Sequence, residues 1–454
     1  MVDRRRARED GDIETGTGLD ESIVREISSA KGEPDWLCDL RLAALAHFEK
    51  WPLPGGDDLA EIELEGLGEW IEPMDGRTGG WADAANRRTA IGGEQSTAAV
   101  RPSDPAGATA RHQSEEAFRR NRRSLERRGV VFSDMDTAVR QHPELVEPHL
   151  AKIIPSSHDK SAALNTSVWS GGSFIYVPPG VEIDAPLEAY SRINATNVHR
   201  FDRTLIVADE GSSIHYIDGC SSPVYSADSL HSAVVEIVVK SGARVTHTTI
   251  QNWSSNVFNL ATKGATVEAD GHMAWIEGTI GSRLAVTSAV TRLVGRKAAA
   301  SVLSLAYAGR GQHQETGAEV FHAAAETSCR IVSKSISAGG GRCGHRRLVR
   351  VEDGMKGCRS HLRCDALLLD EDSVSETPPP LQVGADDAGI NDAVTVSRVE
   401  LDQLFYLMSR GLSQDQAVAI LVNGFIEPVT RMLPIEYAVE WSRLIELQLG
   451  GSVG

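Results

Sequence analysis

Cys358, His361 and Cys364 bring three metal-ligating side chains into one short stretch of sequence. The pattern around them argues against a shared ion. Apolar and polar residues alternate with a period of two, which reads as a β-strand. At about 3.3 Å per residue the two sulfurs then lie roughly 20 Å apart, with His361 on the opposite face. One metal bound at about 2.3 Å from each sulfur cannot use all three. Any site here must combine one of them with residues from another coil, domain or subunit. For any single cysteine the alternative is a small buried hydrophobe.

Two further motifs mislead. Gly339 to Gly344 fits G-x-G-x-x-G, but the following His345-Arg-Arg-Leu-Val-Arg-Val alternates like a strand, whereas a dinucleotide site needs a helix N-terminus there. Trp169-Ser-Gly-Gly-Ser resembles the phosphate-contacting loop of transport-type ATPases. The chain contains no G-x-x-x-x-G-K-S/T, however, so it is not such an ATPase itself.

The elements that must position the cysteines form a repeat. Small residues at Gly180, Gly211, Gly242, Gly271, Ala298, Thr327 and Gly357, 27 to 31 residues apart, each open an alternating stretch such as Gly211-Ser-Ser-Ile-His-Tyr-Ile. A unit of this length holds two or three strands but no complete core, so it must stack on its neighbours. The expected fold is mainly β, a parallel β-helix over residues 160–380 flanked by helical N-terminal and C-terminal domains.

Before the repeat, residues 1–18 read as a disordered tail and 19–75 as a helical region. Its helices run from about Glu21 to Ala30, with Asp20 as N-cap, and from about Pro34 to Lys50, with a stripe of Trp36, Leu40, Leu42, Leu45 and Phe48. Residues 76–112 are a flexible Gly/Ala/Ser/Thr-rich linker, and 113–159 hold a basic helix and a lead-in. In the C-terminal region, 381–454, Leu401, Leu404, Phe405 and Met408 share one helical face that stops at Gly411. Ser413 and Gln416 make a capping box for the next helix, and a last helix runs from about Ile435 to Leu449. So small a helical domain is expected to dock on something.

Charge and cysteine usage narrow the class. A formal net charge of −17 over 454 residues argues against a nucleic-acid partner. The local exception, Arg111 to Arg128 with seven Arg and three Glu, reads first as a solvated helix face, then as a site for an acidic protein, and last as one for nucleic acid. Six cysteines in so long a chain, without an apolar leader or a membrane-length apolar run, indicate a reduced cytoplasmic protein and no membrane association. The residues after Arg4-Arg-Arg are charged and polar, unlike an export signal.

With these segments read, the chain resembles the SufB/SufD family of the SUF iron-sulfur cluster assembly system, and within it the SufB scaffold component. The likeness runs from about Val24 to the end and is densest in Ala163 to Pro178, Ser229 to Ile237, Thr249 to Trp253, Gly311 to Gln314 and Asp402 to Gly411. It implies a right-handed parallel β-helix and a non-enzymatic scaffold that accepts sulfur and builds a transient iron-sulfur cluster. It also implies as partners a SufC-type ATPase docked through the C-terminal helices, a SufD-type paralogue or second copy, and a sulfur donor protein, with reduced flavin as a further cofactor. The family's essential cysteine falls on Cys364 and its persulfide-receiving cysteine on Cys220. Arg192, Asn194, Gln251, Trp253 and Lys263 would line the route between them. At five repeat units of about 4.8 Å each, the two cysteines lie roughly 24 Å apart. Polar intermediates are needed over that distance, and Lys263 or Arg192 would favour thiolate and persulfide anions. By their residue types alone, these side chains read as ordinary satisfied interior polar groups.

One departure bears on chemistry. Where the family has a His-Glu pair, this chain has Asp392 and Ala393, and Thr377-Pro-Pro-Pro replaces a Tyr-containing turn. Asp392 can offer oxygen to iron, though carboxylate is a harder partner for an iron-sulfur core than thiolate or imidazole. Three roles stay open: a working scaffold, a non-catalytic SufD-like structural subunit, and a persulfide relay.

Overall fold

The structure, a computed structural model, describes residues 19–50, 125–192, 200–221, 229–376, 381–383, 388–431, 438–439 and 441–445. The expected tail at 1–18, the linker at 76–112, most of the basic helix, Asn194 and the Thr377 turn lie outside the described residues.

Helix α1 (Glu21–Lys31) begins where the Asp20 carboxylate accepts the N–H groups of Ser22 and Ile23, and it ends at Gly32 in the left-handed region. Helix α2 (Asp35–Lys50) buries Leu37, Arg41, Ala44, Leu45 and Phe48. Trp36, Leu40 and Leu42 of the expected stripe are only partly buried. The face turns inward around Arg41, whose guanidinium bonds Glu33 and the carbonyls of Ser167 and Trp169 and lies 4.5 Å from the centre of a Trp169 ring. Hydrophobic periodicity cannot anticipate a buried, fully partnered arginine.

The chain then enters the repeat through β1 (Val131–Asp134), α3 (Met135–Gln141), α4 (Pro143–Val146) and α5 (Lys160–Val168). Seventeen strands follow among the described residues: β2 (Ser173–Val177), β3 (Leu187–Arg192), β4 (Arg200–Ala208), β5 (Ser213–Ser221), β6 (Ser229–Val239), β7 (Arg244–Trp253), β8 (Val257–Val267), β9 (His272–Gly281), β10 (Leu284–Leu293), β11 (Ala299–Ala308), β12 (His313–His322), β13 (Ser328–Ser337), β14 (Arg342–Val351), β15 (Arg359–Leu368), β16 (Val374–Glu376), β17 (Leu381–Val383) and β18 (Gly389–Arg398). The first sheet runs β1-β2-β4-β6-β8-β10-β12-β14-β16, with β17 also on β14, and the second runs β18-β15-β13-β11-β9-β7-β5-β3. Every pairing is parallel except that of β1 with β2. Consecutive strands thus alternate between the two sheets, the winding of a parallel β-solenoid of about seven turns.

Two boundaries differ from the sequence reading. Residues 160–168 form α5, not β-helix. At the other end β18 pairs with β15 along its whole length, so the solenoid extends into the region expected to be helical. Its inward residues are Ile390, Asp392, Val394 and Val396, and only the register with β15 shows that this alternating segment belongs to the solenoid.

The stacking of the turns explains the repeat. The N–H groups of Gly180, Gly211, Gly242, Asp270, Lys297 and Glu326 each donate to a carbonyl one coil further on. All six residues have positive φ, and so has Gly357. In three coils the left-handed residue is therefore Asp270, Lys297 or Glu326, one position before the small residue that marks the repeat in sequence.

Helix α5 lies against α2 and the outer face of the first sheet. The Glu236 carboxylate anchors the preceding loop, accepting the N–H groups of Ala151, Ile153 and Ile154 and pairing with the equally buried Arg203 at 2.6 Å. On the second sheet, helix α6 (Leu401–Ser409) is followed by α7 (Gln414–Thr430), which opens in the Ser413–Gln416 capping box. Val422, Ile426 and Val429 of α7, with Trp441 and Ile445, pack on Leu305, Tyr307 and Ile336. Gly278 of β9 admits this contact, since a Cβ there would sit 2.5 Å from the Trp441 ring. The α6 stripe stays outside the core: Leu401 is 79% exposed, Phe405 75% and Met408 42%, with Leu404 half-buried. Among the described residues no helix is long and apolar enough to cross a membrane.

Candidate functional site

Strand alternation decides which side chains enter the lumen. In β5 the inward residues are Ile214, Tyr216, Asp218 and Cys220, and in β15 they are Ser360, Leu362, Cys364 and Ala366. The parallel register stacks them in columns. One column runs Asp218, Thr249, Glu277, Ser304, Ser333, Cys364, and the next runs Cys220, Gln251, Thr279, Ala306, Ser335, Ala366. Cys220 and Cys364 thus face one lumen, five strands apart, or roughly 24 Å at a strand spacing of about 4.8 Å.

The lumen is divided lengthwise. One half is filled by Val245, Met273, Trp275, Val302 and Ile331 of the second sheet against Ile237, Val267, Leu293, Val320 and Val349 of the first. The other half is polar: the two cysteine columns face Asp202, His231, Asn259, Lys263, Thr287, Thr316, His345 and Arg347. Lys263 spans it, donating to Glu277 Oε1 at 2.9 Å and to Thr249 Oγ1 at 3.1 Å.

At the Cys220 end, Trp253 Nε1 donates to Gln251 Oε1 at 2.6 Å, and its ring lies 4.6 Å from that of His231. Asp202 ties Arg200 at 2.6 Å to His231 at 3.3 Å, and His231 meets Asn259 at 2.8 Å. Burial opposes charge on Asp202, yet Arg200 and His231 hold it down at about 2. Burial, with Asp202 nearby, pushes Asp218 up to about 6. Burial and the Asp218 carboxylate likewise push the Cys220 thiol well above the usual range. Cys220 therefore needs a base or a cationic neighbour to react as thiolate.

At the other end Cys364 is 1% exposed. Burial pushes its thiol up to about 11, against the opposing pull of Arg347. Arg347, 3% exposed, reaches across from β14 to an ion pair with Asp392 of β18. Asp392 is in register with Leu362, one inward position from Cys364. His361 is exposed on the outer face, as strand geometry required. Cys358 is buried beside Thr327 Oγ1 at 3.3 Å. All six cysteines are free.

The structure thus brings Cys220, Gln251 and Trp253 together, with Lys263 in the same polar half. Arg192 pairs through its backbone with Ser221, next to Cys220. Asp392 lies at the Cys364 end, but no three His, Cys, Asp or Glu side chains converge as a metal site among the described residues. Asp218, Glu277, His345 and Arg347 were missed by the sequence reading. Their signal was strand parity counted from the cysteines, blurred by coils of unequal length.

His322 and His345 are held neutral in the solenoid; burial pulls both down to about 4. A folded value below the unfolded one, near 6.5, means that the unfolded chain takes the proton first. Stability present at neutral pH is therefore lost as pH falls from about 6.5 towards 4. Urea unfolding across this window should show a slope that the double substitution His322→Gln, His345→Gln reduces by up to about two protons. An unchanged slope would show that neither ring is buried neutral.

Residues 191–425 match the family model described as the SUF system FeS cluster assembly SufBD core domain, and residues 113–189 that of the SufBD protein N-terminal region. An iron-sulfur cluster assembly SufBD family protein of Staphylococcus haemolyticus is 45% identical over 438 residues, covering 96% of this chain and 94% of the relative. Proteins of the same description from two strains of Staphylococcus aureus are 45% and 44% identical with the same coverage. A likeness this extensive, over a parallel solenoid whose polar seam holds both Cys220 and Cys364, has one conclusion: the chain belongs to the SufBD family of iron-sulfur cluster assembly proteins.

Proposed function

We propose that this chain is the scaffold subunit of a SUF-type complex, receiving sulfur at Cys220 and assembling it with iron at Cys364. The observation that supports this reading best is that both cysteines face the same polar half of the lumen, in adjoining columns bridged by Thr249, Gln251, Glu277, Ser304 and Ser333. Sulfur arrives by attack of a cysteine thiolate on the outer sulfur of a donor persulfide. One S–S bond forms as another breaks, and the donor leaves as a thiolate, so no oxidant is required. Iron and the nascent cluster are cargo. Cys364 supplies a soft ligand, and the rest come from a partner across the open end.

Two surfaces fit partners of such a complex. The exposed α6 stripe suits a SufC-type ATPase. The outer edge of β18 has no strand on it among the described residues, and Val394 and Val396 are 47% and 52% exposed beside it. A second β-solenoid, a copy or a SufD-type paralogue, would cover that edge.

A second reading, a SufD-like structural subunit, draws on Asp392, whose carboxylate is engaged by Arg347, and on Ala393, which has no ligating group. Anaerobic reconstitution of the complex with ferrous iron and a persulfide donor separates the two. Charge-transfer absorption, increased by Asp392→His with Ala393→Glu, is the scaffold result. Its absence from both proteins, with no persulfide on either cysteine, leaves the structural subunit. Persulfide on both cysteines without absorption leaves a relay.

A further inference from the structure

The solenoid repeats one arrangement at two places. Lys263, Ala289, Ala318 and Arg347 occupy one register column of the first sheet. Thr249, Glu277, Ser304, Ser333 and Cys364 occupy one column of the second. Lys263 of β8 follows Thr249 of β7 and precedes Glu277 of β9, and its ammonium bonds both. Three coils on, Arg347 of β14 follows Ser333 of β13 and precedes Cys364 of β15. Arg347 therefore stands to Cys364 as Lys263 stands to Glu277, with a thiol where the earlier coil has a carboxylate.

A thiol is too short for that role. The Glu277 carboxylate ends three atoms beyond Cβ, whereas a cysteine sulfur ends one atom beyond it. A persulfide adds a second sulfur, about 2.05 Å further out, and carries the negative charge that the carboxylate carries. The donors for such an anion are in place and uncommitted. Arg347 places one nitrogen on Asp392, but its buried Nε has no acceptor. His345 meets Thr316 through Nδ1, and its buried Nε2 has no partner. Ser335 Oγ, in the adjoining column, has none either. A buried donor without an acceptor calls for an explanation, and an anion on Cys364 is one that Arg347 Nε is placed to meet.

We propose that Arg347 is the positioning residue for sulfur carried on Cys364, its Nε–H donating to the terminal sulfur of a Cys364 persulfide independently of the ion pair with Asp392. This rests on the reading of Cys364 as a sulfur acceptor. The competing role is structural, an ion pair that only ties β14 to the last strand.

The test uses the full chain, reduced and incubated anaerobically with sodium tetrasulfide. Cys364 thiolate attacks a sulfur of the tetrasulfide, forming Cys364–S–S⁻ and releasing trisulfide dianion; the thiol proton goes to buffer. After removal of excess reagent, mass spectrometry follows the one-sulfur adduct on the Cys364 peptide with time. Arg347→Gln should shorten the adduct's lifetime about tenfold, the loss of one charge-assisted hydrogen bond. Arg347→Lys should restore most of it, and Asp392→Asn should leave it within about twofold of wild type. A structural ion pair is broken equally in Arg347→Gln and Asp392→Asn, so equal shortening in both overturns the proposal. Wild-type lifetime in Arg347→Gln overturns it while leaving Cys364 an acceptor. No adduct on wild-type Cys364 overturns it together with the acceptor reading.

Discussion

Cys364→Ser is expected to reduce cluster absorption and persulfide labelling of the reconstituted complex to background while the far-ultraviolet circular dichroism stays that of the wild type. Serine keeps the size of the side chain but offers a hard oxygen that neither accepts sulfane sulfur nor binds an iron-sulfur core well. The fold should tolerate the change. Cys364 stacks directly on Ser333, so the new hydroxyl has a partner, and the cost should stay within about 1–2 kcal/mol. Cys343→Ser and Cys358→Ser are the controls. Cys343 is inward but packs with Ala306 and Ala308, and Cys358 lies roughly 20 Å along the strand from Cys364. Both should retain nearly full cluster yield. If Cys364→Ser kept wild-type labelling and absorption, the chemistry would lie elsewhere.

Phe405→Asp or Leu404→Asp should abolish co-purification with the SufC-type ATPase proposed above as a partner. Phe405 is 75% exposed on a helix that the solenoid leaves uncovered, so Phe405→Asp should change stability by no more than about 0.5 kcal/mol. At an interface the same residue is a large aromatic anchor, and its loss costs about 2 kcal/mol or more, roughly thirtyfold in affinity. The Asp also leaves a charge that the partner must desolvate. Ile426→Asp is an instructive contrast, because Ile426 is 1% exposed against the second sheet; that change should melt the helical domain itself. Recovery of the ATPase at wild-type yield with folded Phe405→Asp would show that it docks on another surface.

Much of the architecture was legible in the residues because it rests on local patterns. Alternation with small residues every 27 to 31 positions can form only a stacked β structure, since each unit lacks a core of its own. The Asp20 cap and the Ser413–Gln416 box were readable because the partners are two or three residues apart. His361 and Cys364 could be assigned to opposite faces because strand alternation is strict. Tertiary structure decided what depends on register between coils. Nothing local tells Glu277 that it meets Lys263, or Arg347 that it reaches Asp392 beside Cys364, because those contacts cross the lumen between sheets. The buried Arg41 was illegible for the same reason, because beyond nearby Glu33 its acceptors are the carbonyls of Ser167 and Trp169, more than a hundred residues away. The reach of the solenoid to Arg398 was likewise a matter of register, since the alternation of Ile390, Asp392, Val394 and Val396 gains its place only when β18 pairs with β15.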